Sequence, residues 1–135
     1  MRIREFQKSD AQALVTILKL NKQYAYPEVE GSDAMLRVSR CPSALFLVAE
    51  EGVRPIGFVK AVYDGSRAMI HLLSVRPEFQ GKGVGSKLLD AAILELRKRG
   101  APSISVTVTD DSAGFWEKRG FKKLPVFLML RMLDK

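Results

Sequence analysis

Cysteine, histidine and long apolar runs are scarce in this chain. A single cysteine, Cys41, among 135 residues excludes an internal disulfide. The one histidine, His71, forms no Cys/His cluster with metal-ligand spacing, so we expect no metal site. No apolar run approaches the roughly 18 to 20 residues that a membrane helix needs. The first ten residues show no signal-peptide core, and we therefore expect a cytoplasmic protein without a membrane partner.

Aromatic residues are also few, at 8% of the chain, and they do not alternate with basic residues at stacking positions. This argues against a nucleic-acid-binding module, although Lys and Arg exceed Asp and Glu by 22 to 15. An excess of Lys and Arg is as consistent with an anionic cofactor as with nucleic acid. We expect no nucleic-acid partner, and binding that falls steeply with salt would reopen that alternative.

What is present is a globular composition, with 47% hydrophobic and 27% charged residues. The length predicts one domain over residues 1–135. Apolar periodicity and turn residues predict the element order βααβββαβαβ, an α/β sandwich. Asp10 is predicted to cap the first helix. The predicted strands are residues 3–6, 44–50, 55–63, 68–75, 103–109 and 121–132, and the later helices are residues 83–99 and 112–119.

The most informative stretch is VRPEFQGKGVGSKLLDAAILELRKR, residues 75–99. An apolar strand ends here, a glycine-studded turn follows, and an amphipathic helix begins at once. Glycines allow positive φ angles, and helix N-termini expose unpaired N–H groups beside a partial positive charge. The stretch therefore predicts a cradle for phosphate or pyrophosphate. Its spacing fits neither the Walker A loop nor the Rossmann fingerprint.

The spacing is instead Gln80-x-x-Gly83-x-Gly85, which resembles the pyrophosphate loop of the GNAT superfamily of N-acetyltransferases, written Arg/Gln-x-x-Gly-x-Gly/Ala. Two flanking segments agree with the family in the same order. They are IHLLSVRPEF at residues 70–79 and AGFWEKRGF at residues 113–121. The three elements together span about two fifths of the chain.

The resemblance implies a mixed, mostly antiparallel sheet of six to seven strands flanked by about four helices. It also implies that the sheet splays between its fourth and fifth strands to admit the pantetheine arm of acetyl-CoA. The implied activity is transfer of an acetyl group from acetyl-CoA to a primary amine by direct attack in a ternary complex. The acceptor could be a small molecule, a peptide or protein N-terminus, or a lysine.

The same resemblance implies cofactor-binding residues by position. Main-chain groups of Leu73 and Val75 would pair with pantetheine, and an amide near Leu73 could polarise the acetyl carbonyl. The pyrophosphate would be held by the loop residues Gln80, Gly81, Lys82, Gly83, Val84, Gly85 and Ser86. Gln80 is expected to set the loop geometry and to make a polar contact with phosphate.

His71 lies where the family often has a glutamate that deprotonates the amine, and an imidazole can do the same work near neutral pH. A packed core histidine is the alternative. Strand alternation places His71 on one face with Met69, Leu73 and Val75. Trp116 departs from the family, which often has a tyrosine there that protonates the leaving thiolate. An indole is not an acid, so packing is expected for Trp116, and the proton could come from water, Tyr24, Tyr26 or Ser112.

The loop between the first two helices is expected to meet the acceptor. Its Tyr26, Glu28 and Glu30 would attract a cationic amine, and an exposed polar loop is the alternative. A noncatalytic acyl-CoA-binding sensor remains an alternative function, because the usual acid is missing. The last predicted strand, PVFLMLRML at residues 125–133, is apolar on both faces. An exposed sheet edge is seldom so apolar, and a homodimer is therefore expected.

Overall fold

The described part of the chain folds into a five-stranded sheet with helices on both faces. The structure is a computed structural model that describes residues 1–133. The strands and helices run in the order β1 (Arg2–Glu5), α1 (Ala11–Leu20), α2 (Pro27–Glu30), α3 (Ser32–Ser39), β2 (Ala44–Glu51), β3 (Arg54–Tyr63), β4 (Ala68–Val75), α4 (Val84–Lys98), β5 (Ile104–Val106) and α5 (Ala113–Glu117).

The sheet follows chain order, β1-β2-β3-β4-β5. The first four strands are antiparallel neighbours, whereas β5 is parallel to β4 because α4 crosses over between them. The β4–β5 pairing covers only Ala68–Ile70 against Ile104–Val106. Residues 71–75 therefore have no strand partner on that side among the residues that the structure describes. The opening lies between the fourth and fifth strands, where the resemblance implied a splay.

Two apolar clusters fill the space between the sheet and its helices. On one face Leu88, Leu89 and Leu96 of α4 pack against β2, β3 and β4, with Trp116 of α5 at the edge of the cluster. On the other face Leu14, Ile17 and Leu18 of α1 pack with Met35 of α3 against Phe46 and Phe58 of the sheet. Both faces of the central strands are thus covered, as the α/β sandwich prediction required.

The strand count is lower than predicted. The described residues form five strands rather than six to seven, because residues 121–132 are not in a sheet and β5 is shorter than the predicted 103–109. Strand propensity alone does not make a strand, since the backbone needs a hydrogen-bonded neighbour. Within the chain, the C-terminal segment finds no such neighbour in the residues that the structure describes.

The start of α1 is anchored differently from the predicted cap. Asp10 directly precedes α1, but its carboxylate makes no capping hydrogen bond to that helix. It accepts two hydrogen bonds from the Arg4 guanidinium, at 2.8 and 2.9 Å, and one from the Gln7 N–H at 2.8 Å. Arg4 also donates to Glu50 at 2.9 Å. A buried ion pair therefore fixes α1 against β1 and β2.

Candidate active site

A cleft of about 910 Å³ opens where β4 and β5 part. Its walls come from β4, from the loop before α4, from the loop after α1 and from residues 106–119. Many of the predicted site residues line it, namely His71, Leu73, Val75, Gln80, Gly81, Gly83, Gly85 and Ser86. Two predicted loop residues do not line it: Val84 is buried in the core, and Lys82 is exposed with its ammonium over the Phe79 ring.

The loop before α4 has the backbone that the glycines predicted. Gly81 has φ +76° and Gly83 has φ +84°, and a side chain at either position would meet no neighbour. The glycines are needed for their left-handed conformation and not for space. Gly83 caps α4, and no side chain caps the first turn of the helix. The N–H groups at the start of α4 therefore face the cleft without a protein side chain to accept their hydrogen bonds.

The Gln80 side chain ties this loop to the end of β4. Its amide donates to the Val75 carbonyl at 2.9 Å and to the Asn21 side chain at 3.1 Å. Asn21 donates to the same carbonyl at 2.8 Å and to the Ser74 hydroxyl at 2.8 Å. Ser74 in turn donates to Gln23 at 2.6 Å. The network holds the loop after α1 against the cleft, and Asn21 and Gln23 were not found by sequence reasoning because nothing local marks them.

Arg119 is a third residue that sequence reasoning missed. Its guanidinium stacks on the Phe115 ring, with the central carbon 3.7 Å from the ring centroid, and donates to the Phe115 carbonyl at 2.7 Å. It also donates to the Ser86 hydroxyl in the first turn of α4. A cation beside a helix N-terminus is unfavourable on its own and favourable when an anion lies there. The arrangement fits an anionic group at this end of the cleft.

His71 lies at an irregularity of the sheet. Lys60 of β3 pairs with Leu72, and the next residue, Ala61, pairs with Ile70, so His71 is an extra residue without a partner. This β-bulge overturns the alternation predicted from the sequence. Ile70, Leu73 and Val75 now belong to the cluster under α4, while His71 is exposed to the cleft. Bulges often redirect a side chain beside an active site.

The surroundings of His71 favour its neutral imidazole over the charged form. Partial burial lowers the pKa of His71 below its ordinary 6.5, the positive charge of Lys60 lowers it further, and Glu30 opposes the shift. Lys60 is buried and forms an ion pair with Glu30, the Nζ and Oε2 atoms being 3.2 Å apart. An imidazole that is neutral near pH 7 can accept a proton.

Trp116 is buried at the edge of the cleft, as its predicted packing role requires. Its ring makes edge contacts with Phe115 and with Phe121, each at 5.2 Å between ring centroids. Of the three hydroxyl side chains considered as acids, Ser112 lines the cleft, Tyr24 lines a second cavity near α2, and Tyr26 lines neither. No tyrosine is among the described residues that line the cleft.

The three predicted acceptor residues are not brought together. Glu28 lines the second cavity, of about 440 Å³, and Tyr26 is exposed outside it. Glu30 is held by Lys60, which lies thirty residues further along the chain and gave no local sign of this pairing. Within residues 1–133 no group of three His, Cys, Asp or Glu side chains is arranged to hold a metal ion. No helix in the same part of the chain is long and apolar enough to cross a membrane.

The sequence and the fold of this chain are similar to those of known proteins. Residues 11–121 match the family model described as "Acetyltransferase (GNAT) family". Ard1 from Thermoplasma volcanium is 28% identical over 90% of this chain and 82% of that chain, with a TM-score of 0.78. A transcriptional regulator from Bacillus halodurans C-125 is 25% identical over 97% and 99%, with a TM-score of 0.83. The fold is shared by the PaiA N-acetyltransferase from Thermoplasma acidophilum in complex with coenzyme A, 21% identical over 93% and 92%, with a TM-score of 0.85.

Proposed function

Because the chain belongs to the acetyltransferase (GNAT) family, we propose that it transfers an acetyl group from acetyl-CoA to a primary amine by direct attack in a ternary complex. A single domain over residues 1–135 is part of this proposal. One observation carries it: a glycine-loop anion cradle and an unpaired stretch of β4 open into one cleft with His71. A thioester is already activated toward amines, so the chain's own task is to position both reactants and to take up a proton.

The donor set at the start of α4 fits a pyrophosphate. Residues 83–86 would hold it through backbone N–H groups, and Arg119 would add a positive charge. Uncapped helix N–H groups together with a cation match the chemistry of a phosphate ligand and suit no apolar one. In this proposal Gln80 sets the loop geometry and makes no contact with phosphate, because its amide already donates to Val75 and Asn21.

The unpaired side of β4 fits the extended pantetheine arm. A ligand with amide groups can add to an exposed strand edge as a further strand does. The Val75 carbonyl accepts hydrogen bonds from both Gln80 and Asn21, which uses both of its lone pairs. The backbone groups left for pantetheine are thus those of Leu73 and the N–H of Val75.

His71 is the proposed general base. The bulge exposes it to the cleft, and its lowered pKa keeps a lone pair available near neutral pH. The leaving thiolate depends less on a catalytic group than the attacking amine does. Ser112 or water would supply its proton. Trp116 shapes the cleft wall and takes no part in proton transfer.

Two glycine variants test the cradle. Gly83→Ala forces an alanine into the left-handed region, which costs about 1–2 kcal/mol, and should shift the helix N–H groups and weaken acetyl-CoA binding roughly tenfold. Gly85→Ala is the matched control, because its new Cβ would lie 3.6 Å from the Phe115 ring, an ordinary contact. Calorimetry should find the affinity of Gly85→Ala within about twofold of the parent. Equal affinities for the two variants would contradict the proposed cradle.

The amine acceptor is tested by a transfer assay that follows CoA release. Cationic amines, including polyamines, aminoglycosides and peptides with free N-termini, are compared with neutral analogues. In this proposal the acidic residues near α2 favour a cationic acceptor. Glu30 is already paired with Lys60, whereas Glu28 has no ion-pair partner among the described residues, so Glu28 is the side chain expected to attract the amine. Glu28→Lys should raise KM for a cationic amine roughly tenfold and leave acetyl-CoA affinity unchanged. Unchanged KM would exclude Glu28 from the acceptor site, and acetyl-CoA binding without CoA release from any amine would favour the sensor.

A further inference from the structure

The segment that follows α5 exposes an unusual amount of apolar surface. We define the C-terminal tail as residues 124–133. Phe127 is 94% exposed and Met129 is 91% exposed. The tail's other large exposed apolar residues are Leu124, Val126, Leu128, Leu130, Met132 and Leu133. A soluble chain rarely presents so many contiguous apolar side chains unless another surface covers them.

The tail has the sequence of a buried strand. Its alternate positions 126, 128, 130 and 132 are all apolar, and so are 127, 129 and 133, leaving Arg131 as its single charge. A strand that is apolar on both faces belongs inside a sheet covered on both sides. Its one internal backbone hydrogen bond in the described chain joins the Val126 N–H to the Leu124 carbonyl. The tail therefore has the sequence of a strand but pairs with no sheet in the described structure.

The sheet, in turn, has one edge suited to receive a strand. At the β1 edge, Arg2 and Arg4 form ion pairs with Glu50, and such charges oppose strand addition. At the other edge, residues 103–109 carry no charge, and within residues 1–133 β5 pairs with no strand except β4. Ile104, Val106 and Val108 already pack against the core under α4. An added strand there would extend an existing apolar layer.

We infer that two copies of this chain exchange their tails, each tail pairing with β5 of the other copy. The chain carries both an apolar tail with the sequence of a strand and an uncharged sheet edge, and in the described structure the two are not joined. A twofold dimer satisfies both features at once, and because it uses both tails and both β5 edges it leaves neither for a third copy. Each copy carries a net positive charge, so two copies repel each other. Because the tail has only one charged residue, a contact made through the tails adds little to this repulsion.

Sedimentation of the full chain tests the dimer. The expected mass is about 30 kDa, twice the 15.1 kDa of one chain. The double variant Phe127→Lys, Met129→Lys should raise the dimer dissociation constant by at least about 100-fold, because it would place four lysine charges per dimer in the apolar contact. The matched control is Val53→Lys, Leu94→Lys, which changes two exposed apolar residues outside the tail and should leave the dimer intact. A monomeric parent, with or without affinity for lipid vesicles, or an open-ended polymer would overturn the inference.

Cysteine trapping tests which surfaces meet. The exposed Cys41 is first replaced by serine, and Ser105→Cys in β5 is combined in turn with cysteine at residues 128, 129 and 130. Oxidation should give a covalent dimer for at least one combination and for neither single variant at low concentration. A disulfide formed within one chain would show that the tail folds back on its own sheet. A dimer in which none of the pairs forms a disulfide would show that another surface makes the contact. Either result would overturn the exchange, and neither depends on the proposed catalytic activity.

Discussion

Replacing His71 by alanine is expected to lower kcat/KM by about 10²–10⁴-fold, the usual contribution of a general base. The side chain is exposed in the cleft at a bulge, so its removal should not unfold the protein. Acetyl-CoA affinity should change little, because the proposed pyrophosphate and pantetheine contacts come from α4, Arg119 and the β4 backbone. Steady-state transfer kinetics together with calorimetry separate the two effects.

The pH profile makes the same prediction more specific. In the parent protein, kcat/KM should fall as pH drops through the pKa of His71, which lies below the ordinary 6.5 because of partial burial and the Lys60 charge, with Glu30 opposing. His71→Ala should remove this acid limb. Glu30→Gln should move the limb to lower pH, since it removes the one nearby charge that raises the pKa. A variant that keeps both the rate and the acid limb would mean that the base is elsewhere.

Removing the Arg4 side chain is expected to cause the largest loss of stability. Arg4→Met would leave the buried Asp10 carboxylate with only the Gln7 N–H, and breaking a buried pair in this way costs about 3–5 kcal/mol. The loss should also loosen α1, whose far end carries Asn21 and Gln23 into the cleft network. Urea unfolding at neutral pH measures the free energy of unfolding directly.

Arg2→Met is the matched control on the same strand. The Arg2 side chain is 70% exposed and pairs with Glu50 at 3.3 Å, so its removal should cost no more than about 1 kcal/mol. Burial raises the pKa of Asp10, but hydrogen bonds from Arg4 and Gln7 outweigh it and hold the pKa below 3.8. Stability from this pair is therefore present above that value and is lost as pH falls through the folded-state pKa. The gap between parent and Arg4→Met should narrow at low pH, and a gap that persists would contradict the ion-pair account.

The parts of the site that could be predicted from the sequence are those set by local chemistry. Gly81 and Gly83 adopt the left-handed conformation that only a glycine takes readily, and α4 follows with the expected apolar face. The β4 strand could be predicted from its mostly apolar residues, and its place after β3 in an antiparallel meander from the Asp64-Gly65-Ser66 turn before it. These features depend on residues within about one turn or one strand of each other.

Other parts depend on contacts between distant segments. The bulge at His71 arises from the register of β3 against β4, which alternation within β4 does not reveal. Glu30 meets Lys60, and Arg119 meets Ser86, only after the sheet and α4 have assembled. The C-terminal residues 124–133 are a case in which the local pattern predicted an element that the described structure does not contain. Their strand propensity is real, yet a strand forms only where a neighbour supplies hydrogen bonds, and the single chain supplies none to the described tail.

Calorimetry of the parent protein with acetyl-CoA tests the central claim most directly, with ATP and NAD as control ligands that share phosphate groups. Selective binding of acetyl-CoA is expected, since the cleft joins the proposed pyrophosphate cradle to an unpaired strand edge that suits a pantetheine arm, which ATP and NAD lack. A folded sample that bound none of the three, or bound them equally, would contradict it. The glycine loop would then be no more than the connection between β4 and α4.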